Sequence, residues 1–219
     1  MGHAPHQAKQ PGRARLGSSS FCERMNDYFE VFDLPRNLQV DLEALQRTFY
    51  ALSRRYHPDF HPTAAASEQM LVLERSALLN RAYRALREPL SRLAHLISLE
   101  QGREEGPVKP KAPMDLLEEM LEVQEALEEA KGSGLDGQAT QRLQEERQAL
   151  MDRQAAGDAA IVDRFAEWDR ARDAGHDTRP LLAWFEQALA TRAYLRTVID
   201  DLSDALGEEQ PSHVSHRRH

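Results

Sequence analysis

The segment His57-Pro58-Asp59-Phe60-His61-Pro62 places two imidazoles and a carboxylate close together, the grouping from which metal binding or acid–base chemistry is first considered. The imidazoles are four apart, as in an HxxxH metal site on a helix. Pro58 and Pro62 deny the segment the helical face such a site uses. A second concentration of reactive groups is the run Asp115, Glu118, Glu119, Glu122, Glu125, Glu128 and Glu129. Within it, Glu118 with Glu122, or Glu125 with Glu129, has the spacing of paired carboxylates. A di-metal carboxylate bundle takes Glu-x-x-His motifs from its helices, and none occurs in 114–206, where His176 is the only histidine. Cys22 is the only cysteine, which excludes an internal disulfide and any multi-cysteine metal site. Metal binding at either group is therefore not expected.

The elements that position these groups are read from periodicity. Asn26 and Asp27 precede the short apolar run Tyr28 to Leu34, a brief helix that Pro35 is expected to end. Asp41 is the expected N-cap of a second helix, whose Leu42, Leu45, Phe49, Leu52 and Tyr56 make one apolar face. Arg47 and Arg54 are seven apart and point away from that face, with Arg55 beside them. Pro58 stops this helix. Ser67 is the expected cap of a third, with Leu71, Leu78, Ala82 and Ala85 in one stripe and Val72, Leu79, Tyr83 and Leu86 in the next. Pro89 ends it, and Leu90 to Leu99 form a further short helix. Two long helices around a short loop predict an antiparallel hairpin with the His57 loop at its tip.

Glycines and prolines between Gly102 and Pro113 predict a linker. Met114 to Lys131 reads as a helix that is acidic on one side, with Leu117, Met120, Leu121 and Leu127 as its apolar residues. Residues 138–174 are helical, with Gly157 either dividing the stretch or lying inside it at a cost of about 1 kcal/mol. Thr178 and Pro180 open a last helix, whose apolar residues run from Leu181 to Leu206. Trp168 and Trp184 are expected in the core. No strand and no internal repeat are expected. The organisation is therefore all-α: a disordered segment 1–25, a hairpin domain 26–99, a linker 100–112, a helical bundle 113–207 and a disordered tail 208–219.

Four stretches go beyond a generic hairpin: Tyr28-Phe29-Glu30-Val31-Phe32, Tyr56-His57-Pro58-Asp59-Phe60, Asn80-Arg81-Ala82-Tyr83, and Pro89-Leu90-Ser91-Arg92 with Leu96, Leu99 and Gly102 after it. With a basic helix face directly before the His-Pro-Asp loop, the chain resembles a J domain. With the acidic helix that follows, it resembles the HscB-type J-domain co-chaperones of iron–sulfur cluster assembly. The resemblance is close over 26–130 and loose over 138–206. It implies an L-shaped pair of domains in which His57, Pro58 and Asp59, with Arg47, Arg54 and Arg55, bind a DnaK/HscA-class ATPase chaperone and speed its ATP hydrolysis; the ATPase site is then on the partner, so this chain is expected to be no enzyme and to hold no cofactor. It also implies that Leu117, Glu118, Leu121, Glu122, Glu125 and Glu129 bind an iron–sulfur scaffold protein of the IscU type, completed by Tyr194 from the last helix. Glu118 stands where the family commonly has Met, which shrinks the apolar part of that patch. The paired-cysteine zinc module of some eukaryotic members is absent.

The alternative from another class is a J protein whose helical C-terminal domain dimerises or serves another client. The physical features suit docking. A loop holding Pro58 is pre-ordered, and a cationic face steers association. A net charge of −8 disfavours general nucleic-acid binding. No stretch has the roughly 18–20 apolar residues that cross a bilayer, so no membrane partner is expected. Residues 1–25 lack the apolar core of a secretory signal, and Met25 is a candidate natural start. A reducing, cytoplasmic compartment is expected.

Overall fold

The computed structural model describes residues 27–57, 66–102 and 137–207, and between the last two stretches Leu121, Val123 and Glu125. All regular structure among them is helical: α1 (Tyr28–Val31), α2 (Leu42–Arg55), α3 (Ala66–Arg87), α4 (Pro89–Glu100), α5 (Gly137–Asp163), α6 (Phe165–Asp173) and α7 (Arg179–Ala205). The expected terminal segments and most of the linker and acidic helix lie outside the described residues.

Local chemistry sets the helix ends. The Asp27 carboxylate caps α1 by accepting the Phe29 N–H, and Asp41 caps α2 by accepting the N–H groups of Glu43 and Ala44. α1 stops before Pro35. Asp33 takes a left-handed φ of 54°, and the N–H groups of Asp33 and Leu34 return to the carbonyls of Glu30 and Phe29. α3 begins at Ala66, so Ser67 lies within its first turn rather than capping it. Pro89 occupies the first turn of α4, where its missing N–H costs nothing. Gly157 lies inside α5, and the break falls at Arg164 instead. There Phe165 and Trp168 turn inward, 3% and 1% exposed. α6 ends on Gly175 at φ 67°, the left-handed conformation that closes a helix cheaply only on glycine.

α2 and α3 pack antiparallel. Phe49 stacks on Tyr83 at 4.1 Å between ring centroids, while at the other end the Arg75 guanidinium lies 5.6 Å from the Tyr56 ring. Leu45, Leu79, Ala82 and Leu86 are buried between them, together with Phe29 and Phe32 of the first segment. Leu42 and Leu71, read as core-facing, are 48% and 47% exposed: Leu42 is the first residue of α2, and Leu71, in the second turn of α3, lines an open groove beside Arg55 and Tyr56.

α5 and α7 also run antiparallel, with Asp158 bonded to Arg192 and Arg147 to Ser203. Val123 joins Leu143, Leu150, Leu195, Val198 and Leu202 in the core of this pair. A larger cluster runs without interruption from the hairpin through Leu93, Leu96 and Ile97 of α4 to Ile161, Phe165, Trp168, Leu181 and Phe185. Each such side chain stabilises the structure by about 1.5–3 kcal/mol on full burial, so α4 is the wall shared by hairpin and bundle.

Candidate functional site

The first candidate surface is the outer face of α2 and the loop after it. Asp41 fixes where α2 starts, and Leu45, Phe49 and Leu52 fix which side turns inward. Arg47, Arg54, Arg55 and His57 are consequently exposed. Arg47 lies 3.6 Å from Glu43, one turn earlier, a surface pair worth a few tenths of a kcal/mol that leaves the charge accessible. Arg54 and His57 line a hollow of about 380 Å³ together with Tyr50 and Ser53. Tyr50, which sequence reasoning passed over, is 57% exposed and adds an aromatic surface to the basic face. Its signal was available: an aromatic residue between Arg47 and Arg54 on the polar side of an amphipathic helix.

Arg55 behaves differently from the other two. Its guanidinium lies 5.7 Å from the Tyr56 ring, with Arg75 of α3 also over that ring. It faces a groove of about 810 Å³ between α1, the end of α2 and the start of α3, where Glu30, Asp33 and Glu74 supply carboxylates. The structure thus groups Arg54 with His57 and turns Arg55 toward α3. Pro58 and Asp59 lie outside the described residues.

The second candidate surface is the acidic helix. Its described residues divide by side: Leu121 is 60% exposed and Glu125 is exposed, whereas Val123 is 5% exposed within the bundle core. Leu121 and Glu125, four apart, share the outward face, and Val123 fastens the opposite one. Leu117, Glu118, Glu122 and Glu129 lie outside the described residues. Tyr194 is half-buried against the same core cluster as Val123, and burial pushes its hydroxyl above the ordinary tyrosine value. Among the described residues, no group of three His, Cys, Asp or Glu side chains is placed to hold a metal ion. Nor is any helix long and apolar enough to cross a membrane.

Three of the four stretches singled out in the sequence lie wholly within the described residues. Phe29 and Phe32 fill the hairpin core, and Ala82 gives the close approach opposite them. Arg92 is buried, and its guanidinium donates to the Leu86 carbonyl at 2.6 Å, satisfying an acceptor in the last turn of α3. Desolvation pulls Arg92 below the ordinary arginine value, opposed by the charges of Asp169 and Glu88. Asp169 itself was not anticipated. It accepts backbone N–H groups from residues more than a hundred positions away, which no local pattern announces. The readable signal was its place: four after Phe165, it puts a carboxylate on the core-facing side of α6.

An antiparallel hairpin whose basic α2 face runs to His57, and a helical bundle fastened to it through α4, give the chain the fold class of the helical co-chaperones. No family model matches the chain. Among solved structures, the chaperone HscB from Vibrio cholerae is similar, with 28% identity and a TM-score of 0.54 over 82% of this chain and 99% of that one. The human co-chaperone protein HscB shares the fold, with 23% identity and a TM-score of 0.56 over 90% of this chain and 84% of that one. The motifs, the fold and the match along the Vibrio chain support an HscB-type co-chaperone.

Proposed function

We propose that this protein stimulates the ATPase of a DnaK/HscA-class chaperone and delivers to it an IscU-type scaffold during iron–sulfur cluster assembly and transfer. The hairpin domain, 26–99, engages the chaperone through His57, Pro58 and Asp59, with Arg47 and Arg54 steering approach and Arg55 at the margin of the contact. The bundle, 113–207, holds the scaffold on Leu117, Glu118, Leu121, Glu122, Glu125 and Glu129, with Tyr194 adjoining. Hydrolysis takes place on the partner, so this chain performs no chemistry and needs no cofactor. The cytoplasm is the setting in which such partners meet it.

The observation that carries this reading is the exposure of Leu121 beside Glu125 while Val123 anchors the same helix. An apolar side chain held out by a packed helix, with a carboxylate one turn on, has the character of an interface anchor.

Single-turnover ATP hydrolysis by a purified DnaK/HscA-class chaperone tests it, with wild type and His57→Gln, each with and without the scaffold. The expected result is stimulation by wild type, none by His57→Gln, and a further increase with scaffold. Stimulation that needs His57 but ignores the scaffold would make this a J protein for another client.

A further inference from the structure

The contact between hairpin and bundle is apolar along α4 but polar where the α1–α2 loop meets α6. Asp169 is 6% exposed. One carboxylate oxygen accepts the Leu38 N–H at 2.7 Å and the other accepts the Gln39 N–H at 2.8 Å. One turn on, the Arg172 guanidinium donates to the Asn37 side-chain oxygen at 3.0 Å. The loop is held from its own side as well: Arg36 donates at 2.8 Å to Asp27, the residue that caps α1. Leu38 is fully buried in the shared core. Apolar burial holds two surfaces together but tolerates small rotations, being non-directional. A buried carboxylate receiving two backbone donors does not, because a slipped loop would leave a charge and two amides unpaired.

We propose that Asp169 is a positioning residue that fixes the hairpin, and with it the His57 tip, at one angle to the bundle carrying the acidic helix. A scaffold held on the bundle is then presented to a chaperone held at the tip. This rests on the co-chaperone reading above. Its physical content is effective concentration: a loose joint spreads the bound scaffold over a larger volume and dilutes it at the chaperone.

The test uses the full chain with Asp169→Asn, which keeps the size but turns an amide NH2 toward a backbone N–H. Arg172→Gln loosens the same loop from its accessible side and leaves the buried charge in place. Spin labels at Ala51→Cys on α2 and Thr197→Cys on α7, in a Cys22→Ser background, report the distribution of hairpin–bundle distances. Single-turnover hydrolysis with and without scaffold, and scaffold affinity, are measured on the unlabelled variants, since Ala51 lies between Arg47 and Arg54 on the basic face.

Both variants are expected to bind scaffold and to stimulate the chaperone alone as wild type does. Their distance distributions broaden, and the scaffold-dependent increment falls at least about threefold. A distribution as narrow as wild type in a folded variant, or an undiminished increment, overturns the proposal while leaving the co-chaperone reading standing. If Asp169→Asn does not fold, Arg172→Gln decides by the same criteria. A wild type with no scaffold-dependent increment overturns the functional reading, and this inference with it.

Discussion

The backbone N–H of Tyr28 donates to Nε2 of His95 at 3.0 Å, and the two rings stack at 4.1 Å between centroids. The acceptor nitrogen carries no proton, so this imidazole is a structural acceptor seating α1 on α4 rather than an acid or base. His95→Ala removes the acceptor and a buried ring together. It is expected to cost about 2–4 kcal/mol in denaturant unfolding. A cost under about 1 kcal/mol would mean that α1 is held by Phe29 and Phe32 alone.

Arg47 and Arg54 stand clear of the hairpin, whereas Arg55 packs over Tyr56. Replacing Arg47 and Arg54 by Glu should slow association with an ATPase chaperone about tenfold at low salt, an effect that fades as salt rises. Arg55→Ala should chiefly lower stability, by about 0.5–1 kcal/mol through the lost cation–ring contact. Stopped-flow association across a salt series, with melting curves alongside, separates these outcomes. Equal kinetic effects from all three arginines would contradict the division.

Gly157 lies in the interior of α5, and a Cβ placed there would meet nothing within 4 Å. Gly157→Ala should therefore stabilise the fold by about 1 kcal/mol, since alanine removes the backbone freedom glycine loses on folding. Thermal unfolding checks this, and an unchanged midpoint would reveal a cost in the groove lined by Trp184 and Arg192 that the open geometry does not suggest.

At the start of α7, Asp177 accepts the backbone N–H of Arg179 and two bonds from its guanidinium. The side-chain hydrogen bonds from Arg179, ahead of its backbone bond, hold the carboxyl down at about 2 against an ordinary 3.8. A depressed folded value contributes stability above the unfolded value, lost as pH falls from near 4 through about 2. Carboxyl NMR titration should place the midpoint in the low range, and Arg179→Gln should return it upward. The effect on global stability is small because the pair faces solvent.

Periodicity carried most of the architecture. The inner faces of α2 and α3, the cap at Asp41 and the opening of α7 were readable because each is written in residues a few positions apart. Errors fell where helix ends meet solvent. Leu42 and Leu71 continue the apolar pattern, but the first opens α2 and the second lies over the open groove beside Arg55. The exit at Asp33 was missed because an aspartate in left-handed conformation leaves no mark stronger than the nearby proline. The exposed arginines of α2 and Leu121 were legible as the residues left outside the apolar stripes. Asp169 and His95 were not, since each acts on backbone amides distant in sequence, and hydrogen bonds between backbone and a remote side chain have no periodicity.

The continuous core has a consequence for biosynthesis. Leu93, Leu96 and Ile97 leave the ribosome well before Phe165, Trp168 and Phe185, which complete their packing. At synthesis rates of about 5–20 residues per second, the nascent hairpin spends seconds with the apolar side of α4 open to solvent. During that interval the surface that later joins hairpin to bundle is the most exposed apolar patch the nascent chain carries.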